Sequence, residues 1–346
     1  MLQSTASGRI APSSDIVRYL TSTVLRIGLF ALLYAFSALV IDPRQTGSWH
    51  LLPAPVVDDR TPKTQLFKRF ANMGPVGGLV LGSSRTLMIS PRLLGELTGL
   101  RYFNFAASGA SVSDISSIYE GVLRDGFHPQ HLVVGIDINA LMGRTKVEER
   151  QRAIAEGSMV ARVAQLLADI RSIYNSDFCY DMLRSLAFTA GLLKPKALNV
   201  FDVDGTRLSR GDTLRSESEY RRDVSTCAAT MHAQFARYDL VSNLRFADWE
   251  RFVSRASADG AKVDIFVTPF NPIAEHELTE GTLYKSLRRD AMIRLARELG
   301  PFHFALHDFG DAASFQPEVA GWADCVHYDE RNADRIVRRM FPSGRH

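Results

Sequence analysis

The chain has 346 residues, of which 46% are hydrophobic, and this is ample for one large folded domain or two small ones. The formal net charge is only +3 and the arginines are scattered along the chain. No strong positive electrostatic field therefore favours nucleic-acid binding, and no nucleic-acid partner is expected. The three cysteines are widely spaced, which excludes a disulfide framework and does not match the spacing of metal ligands. One disulfide bond between two of them is still allowed.

An apolar segment near the N-terminus is long enough to span a membrane. The uninterrupted run covers 27–41, and including residues back to Ile16 gives the roughly 20 residues that a bilayer requires. Three arginines lie on or before its first half and an aspartate follows it: Arg9, Arg18, Arg26 and Asp42. By the positive-inside rule, 1–15 is a cytoplasmic tail and 16–41 a single-pass anchor in the inner (cytoplasmic) membrane. The rest of the chain is then extracytoplasmic or periplasmic.

Two other interpretations of this segment remain open. Small residues in AFSA are compatible with a cleaved signal peptide. The segment also resembles a buried helix of a soluble protein. An uncleaved anchor is favoured by its length.

A Pro-rich stretch at 42–73 predicts a linker to a domain that covers 74–346. In that domain, short apolar runs alternate with amphipathic stretches. Strands are predicted at 77–82, 101–106, 131–137, 262–269 and 302–309, and helices at 86–98, 112–125, 242–259 and 280–299. This alternation predicts an α/β fold, a three-layer α/β/α sandwich with a mostly parallel sheet. Residues 141–240 break the alternation and are predicted to form an insertion between the third and fourth strands.

Polar residues follow the predicted strands at their carboxyl ends, the edge at which open α/β sheets bind ligands. The first strand ends in Gly82-Ser83-Ser84-Arg85, and the second leads into Ser108-Gly109. Far downstream, Asp324 stands three residues before His327, just ahead of a further predicted helix in the closing segment DERNADRIVRRMF. A serine hydroxyl becomes a nucleophile when a histidine takes its proton and a carboxylate orients that histidine. The pattern predicts a site of this type.

The segments VLGSSRT, NFAASGAS and DCVHYDERNADRI resemble, in order and spacing, the blocks of the SGNH (GDSL-like) hydrolase superfamily. The resemblance covers about 74–346 and implies an SGNH/flavodoxin-like fold. It implies that Ser84 is the nucleophile, that Ser83 takes the usual aspartate position, and that Asp324 and His327 complete a catalytic triad. Gly109 is then an oxyanion donor.

The third block of that family, Gly-x-Asn-Asp, differs in this chain, which has VVGIDINAL. Asn139 is the nearest asparagine and is the predicted third-block donor, while Asp137 is the alternative. Arg85 is interpreted either as a substrate contact or as part of a salt bridge that holds the turn. Asn104 is expected to be a buried structural residue, and either serine of the pair has the alternative role of a helix cap.

A membrane-tethered SGNH domain resembles the proteins that assist O-acetylation of bacterial exopolysaccharides. The resemblance implies a serine esterase or O-acyltransferase acting on acyl, in particular acetyl, esters of an extracytoplasmic polysaccharide. It also implies a multipass membrane O-acyltransferase of the MBOAT class as a partner. No metal and no cofactor are expected.

Three alternatives compete with this interpretation. One is a general lipase or esterase, and another is a catalytically inactive scaffold that keeps the fold as a docking platform. The third is a haloacid-dehalogenase-like phosphatase, because NVFDVDGTRL at 199–208 contains that family's Asp-x-Asp-Gly-Thr motif. An Asp-Gly turn within the insertion accounts for the motif more simply.

Overall fold

The computed structural model describes residues 14–41, 56–57, 59–173, 176–193, 196–197, 199–208 and 216–342. The chain divides into two compact units, one formed by 1–57 with 162–196 and the other by 58–161 with 197–346. The helices of the described part are α1 (Ser14–Ile41), α2 (Arg60–Asn72), α3 (Pro91–Thr98), α4 (Val112–Arg124), α5 (Thr145–Ala155), α6 (Met159–Ile173), α7 (Ser176–Thr189), α8 (Glu217–Phe235), α9 (Asn243–Ala258), α10 (Glu275–Thr279), α11 (Tyr284–Leu299) and α12 (Glu330–Met340).

Helix α1 belongs to the first unit and coincides with the predicted apolar segment. Its stretch Arg18–Ser37 is long and apolar enough to cross a membrane, and none of that stretch is buried. A signal sequence near the N-terminus meets the same criteria of length and apolar composition. Helix α7 lies against α1 within this unit. The predicted tail up to residue 13 and the predicted linker at 42–55 lie outside the described residues.

A parallel five-stranded sheet forms the centre of the second unit. Its strands are β1 (Gly78–Leu81), β2 (Tyr102–Asn104), β3 (His131–Ile136), β4 (Lys262–Val267) and β5 (Phe304–Asp308). Their order is β2-β1-β3-β4-β5, and every neighbouring pair is parallel. The order reverses between β1 and β3, which is where doubly wound sheets open a ligand crevice at their carboxyl edge. The predicted α/β class and mostly parallel sheet are confirmed.

Both faces of this sheet are buried, which explains why its strands are continuous apolar runs. On one face, residues such as Leu79, Val134 and Ile265 pack in one cluster with apolar side chains of α2, α4, α9 and α11. On the other face, Val80 and Val133 pack in a second cluster with side chains of α3 and α12. Helices therefore contribute to the core on both sides of the sheet.

Local sequence signals account for where several of these helices begin. Ser111 and Asp114 form a capping box at α4, and Ser216 and Glu219 form another at α8. At α12 the side chain of Asp329 accepts hydrogen bonds from the first N–H groups of the helix. These caps satisfy backbone donors that would otherwise lack partners.

Residues 60–72 differ from the predicted linker, because they form helix α2. Its Phe67 and Phe70 are buried in the core of the second unit, so this unit begins near Asp59 and not at Gly74. The spacing of these two phenylalanines and Ala71 gives one apolar helical stripe, which the polar residues around them obscure. The predicted helix at 86–98 also differs, since a 3-10 turn at Ser84–Thr86 precedes α3.

The segment predicted as an insertion lies between β3 and β4 and contains α5 to α8. Its two ends are adjacent, because Met142–Gly143 pairs antiparallel with Leu240–Val241. Two further short strands, Val56–Val57 and Lys196–Ala197, form a separate two-stranded sheet.

Candidate active site

Ser84 stands immediately beyond the carboxyl end of β1, at the start of the 3-10 turn. Glycine is required at Gly82, whose φ is +146° and where a Cβ would lie 2.4 Å from Oγ1 of Thr86. The chain therefore turns sharply as it leaves the buried strand. This turn presents the Ser84 side chain at the crevice edge of the sheet.

His327 and Asp324 lie beside Ser84, although 243 residues separate the serine from the histidine. The Ser84 Oγ is 2.8 Å from Nε2 of His327, and Nδ1 of His327 is 2.7 Å from Oδ2 of Asp324. Because an ionised carboxylate can only accept, Nδ1 of His327 carries a hydrogen. In a neutral imidazole Nε2 is then unprotonated and can accept a hydrogen bond from the Ser84 hydroxyl. The three residues thus have the mutual geometry of a nucleophile, a base and an orienting acid.

The loop that carries Asp324 holds its carboxylate firmly. Oδ1 accepts hydrogen bonds of 2.8 Å from the backbone N–H groups of both Val326 and His327. Burial alone would raise the pKa of Asp324, but the hydrogen bond and charge of His327 and these N–H groups hold that pKa below its ordinary value. Asp324 is therefore ionised at neutral pH and can stabilise an imidazolium.

The two neighbouring serines have different environments. Ser83 is buried and its Oγ accepts a hydrogen bond from the N–H of Arg85, so Ser83 caps the turn. Ser84 is the one that contacts the imidazole.

Arg85 points away from this constellation into the protein. Its guanidinium is buried, with Nε 3.5 Å from Oδ1 of Asp137 and Nη1 3.3 Å from Oγ1 of Thr268. It also lies over the ring of Phe270. Of its two interpretations, these contacts support the salt bridge that holds the turn.

Asn139 is not brought to Ser84 by the described structure. It lies in a second 3-10 turn, Ile138–Leu141, and its Oδ1 is buried without a described hydrogen-bond partner. Asp137, the alternative, forms the ion pair with Arg85 and accepts from Thr268 at 2.7 Å. Neither residue lines the cleft around Ser84.

Gly109 lies in an exposed turn after β2 with a φ of +65°, a conformation that favours glycine. The residue before it, Ser108, lines the same cleft as Ser84. Asn104, at the end of β2, is buried, and its Nδ2 donates to the carbonyls of Thr86, Leu87 and Ile89. The expectation of a structural asparagine is confirmed, since Asn104 fixes the loop that follows Ser84.

An open cleft of about 810 Å³ surrounds the Ser84–His327 pair. Besides the predicted residues, it is lined by residues of the insertion, among them Asn199, Arg207, Thr226 and Met231. The sequence did not identify these residues, because nothing in the local pattern of an insertion indicates which of its side chains return to the sheet edge.

The phosphatase-like motif within the insertion is a tight turn. The N–H of Gly205 donates to the carbonyl of Asp202, and the N–H of Asp202 donates to the carbonyl of Thr206. The Asp204 carbonyl accepts from the N–H of Asn104, so the turn packs against β2 and lies outside the five-stranded sheet. These contacts agree with the simpler interpretation as an Asp-Gly turn.

A disulfide joins Cys227 of α8 to Cys325, the residue between Asp324 and Val326. The third cysteine, Cys179, is free. Among the described residues, one group of potential metal ligands has its atoms close enough to share an ion, namely Cys227, Asp324 and Cys325. Its two sulfur atoms are bonded to each other, so they do not provide the thiolates that a metal would need.

Comparison of the sequence with protein-family models finds no match. A search of curated proteins also finds no relative.

Proposed function

We propose that this protein is a membrane-anchored serine esterase or O-acyltransferase of the SGNH type. It acts on acyl esters, in particular acetyl esters, of an extracytoplasmic polysaccharide. The observation that carries the proposal is the continuous hydrogen-bonded series Ser84–His327–Asp324, with distances of 2.8 Å and 2.7 Å. The series lies in an open cleft at the switch point of a parallel sheet.

The first half of the reaction acylates the enzyme. The Ser84 Oγ attacks the ester carbonyl while His327 Nε2 takes the hydroxyl proton, and Asp324 stabilises the imidazolium. Backbone N–H groups at Ser84 and Gly109 donate to the oxyanion of the tetrahedral intermediate. Collapse breaks the bond to the leaving alcohol, which receives the proton from His327, and leaves an acyl-Ser84.

The second half transfers the acyl group. His327 removes a proton from the incoming hydroxyl, of a sugar or of water, which attacks the acyl-Ser84 carbonyl. The acyl group leaves with the acceptor, and the proton returns to Ser84. A sugar acceptor makes the protein a transferase and water makes it an esterase, so the cleft's ability to hold a sugar decides the outcome.

Two observations support an extracytoplasmic location. Helix α1 is long and apolar enough to anchor the chain, and the Cys227–Cys325 disulfide is a bond that persists in oxidising compartments. A multipass membrane O-acyltransferase is the partner that would supply acyl groups across the inner membrane.

The test compares two adjacent substitutions in the full-length chain, Ser84→Ala and Ser83→Ala. A fluorophosphonate probe should label the wild type and the Ser83 variant, whereas the Ser84 variant should remain unlabelled. Both variants are checked for an unchanged melting temperature. Labelling of Ser84→Ala, or no labelling of the wild type, contradicts the proposal.

A catalytically inactive scaffold is the second candidate function, and the position of Asn139 favours it. Without an asparagine in the cleft at the third-block position, one oxyanion donor of the family pattern is not supplied there. An intact protein that binds polysaccharide but neither labels nor hydrolyses esters would establish this alternative. The phosphatase alternative would instead be established by a magnesium-dependent phosphatase activity that is lost in Asp202→Asn.

A further inference from the structure

The hydroxyl of Ser108 is held at the cleft by a buried polar network. Asp59 is only 1% exposed, and its Oδ2 accepts a hydrogen bond of 2.9 Å from the backbone N–H of Ser108. The same carboxylate accepts from Nδ2 of Asn199 at 2.9 and 3.0 Å. Nδ2 of Asn199 also donates to Oγ of Ser108, at 3.1 Å.

The orientation of the Asn199 amide follows from its neighbours. Asp59 can only accept, so the NH₂ group, and not the oxygen, must face it. With one amide hydrogen directed to Asp59, the other is directed to Ser108. The Ser108 oxygen therefore acts as an acceptor inside the network, and within the described structure its own hydrogen has no acceptor.

Ser108 is also fixed relative to the nucleophile. The N–H of Ala107 donates to the carbonyl of Gly82 at 3.0 Å, which joins the loop after β2 to the turn that carries Ser84. Ser84, Ser108 and Asn199 line one cleft together with His327. The hydrogen of the Ser108 hydroxyl is thus available in the cleft that contains Ser84.

We propose that the Ser108 hydroxyl donates a hydrogen bond to the oxyanion, in place of the third-block asparagine. Asn199 and Asp59 are positioning residues, because they act on the substrate only through Ser108. The proposal rests on the proposed acyl-transfer function. No covalent bond to Ser108 forms, and no proton leaves it; its O–H dipole stabilises charge that exists only in the intermediate and the flanking transition states.

A hydroxyl held in this way is preorganised. Its oxygen is already engaged by Asn199, so little rotational freedom is lost when its hydrogen turns to the oxyanion. A hydroxyl positioned by Asp59 and Asn199 can therefore replace a single asparagine side chain. Asn139 is not among the residues that line this cleft.

The experiment measures turnover of p-nitrophenyl acetate by the full-length protein. Ser108→Ala should lower kcat about 10- to 10³-fold with KM nearly unchanged, because the lost contact belongs to the transition state. Ser108→Thr, which keeps a hydroxyl, should retain most of the activity. Ser113→Ala, an exposed serine outside this cleft, is the matched control and should match the wild type.

The positioning role of Asn199 is tested by a double-mutant cycle. Asn199→Ala alone should lower kcat, but added to Ser108→Ala it should cause almost no further loss. If Asn199 had only a structural role, Asn199→Ala would reduce kcat both in the wild type and in Ser108→Ala. Equal losses in the two backgrounds would therefore overturn the positioning role.

The remaining outcomes separate this inference from the proposed function. An acyl burst in the wild type with an unchanged kcat for Ser108→Ala overturns the Ser108 role and leaves the serine mechanism in place. A rise in KM alone also overturns it. If the wild type neither turns over the ester nor is labelled at Ser84 by the fluorophosphonate probe, the acyl-transfer function itself fails. Should Ser108→Ala not fold, Ser108→Gly removes the same hydroxyl and is judged by the same criteria.

Discussion

Asp324 is the residue on which the orientation of the base depends. It receives three hydrogen bonds, one from the imidazole and two from backbone N–H groups of its own loop. The imidazole can therefore rotate away from Ser84 only if this carboxylate contact breaks. The side chain holds one tautomer of His327 in place.

Asp324→Asn should lower kcat about 10³-fold or more while KM changes little, because the amide no longer requires a hydrogen on Nδ1. The measurement is ester turnover at neutral pH with a parallel melting curve. Asp311→Asn changes an exposed aspartate outside the cleft and serves as the control. Near wild-type kcat in Asp324→Asn would argue against a triad.

At the scale of elements, the Cys227–Cys325 disulfide joins helix α8 to the loop of Asp324 and His327. The bridge connects residues 98 positions apart. It closes a long loop and thereby reduces the entropy of the unfolded chain. It also attaches the loop of Asp324 and His327 to helix α8, which forms a wall of the cleft.

Replacing both Cys227 and Cys325 by serine should lower the free energy of unfolding by about 2–4 kcal/mol. The kcat for esters should fall as well, because the loop that orients His327 loses its attachment to α8. Denaturant titration and turnover measure the two effects. Cys179→Ser, which changes the free cysteine, should alter neither; an unchanged double variant would show that packing alone holds the loop.

At the scale of the whole molecule, a buried polar network joins the strands of the sheet away from the cleft. Oδ2 of Asp264 on β4 lies 2.6 Å from Nε2 of His131 on β3, and Oδ1 lies 2.8 Å from Nε2 of His307 on β5. The hydroxyl oxygen of Tyr102 on β2 lies 2.5 Å from Nδ1 of His131, within hydrogen-bond distance. Burial raises the pKa of Tyr102 to about 12, so its hydroxyl stays protonated. The network spans four of the five strands of the sheet.

The stability of the protein should therefore fall in acid. Burial alone would raise the pKa of Asp264, but hydrogen bonds from His131, His307 and Lys262 hold it well below the ordinary value. A lowered carboxyl pKa stabilises the fold fully above about pH 4, and this contribution is lost as the pH falls through the folded-state pKa.

Asp264→Asn should unfold more easily at pH 7 and lose less stability than the wild type between neutral and acid pH. Denaturant titrations over that pH range give both quantities. Asp290→Asn, an exposed aspartate, is the control and should follow the wild-type curve. If the wild type and Asp264→Asn lost stability in parallel, other carboxylates would be responsible.

Much of the sheet could be predicted because its strands are buried on both faces and are therefore short apolar runs. Helix α2 was not predicted, since its buried stripe rests on Phe67 and Phe70 within an otherwise polar and Pro-containing segment. The polar pair His131 and Asp264 was also not expected in the core. Only tertiary contacts show that these two side chains satisfy each other.

The strand ends indicated the serine pair and Asp324 with His327 as candidates, and the resemblance to the SGNH superfamily selected Ser84. The structure brings Ser84, His327 and Asp324 into contact. Asn199 and Asp59 could not be predicted, because their role exists only through contacts between segments 140 residues apart. Asn139, the predicted third-block donor, is not among the residues that line the cleft. A strand end specifies an edge of the sheet, but the turn that follows it decides which way a side chain points.

The distance along the chain between Ser84 and His327 has a consequence for biogenesis. In the export that the proposed location requires, Ser84 emerges from the membrane long before His327. The contact between them closes a loop of 243 residues, and such long-range contacts form late because loop closure costs entropy before it gains any packing. Under the proposed function, Ser84 therefore gains its activating contact only after the segment that carries His327 has reached the sheet edge.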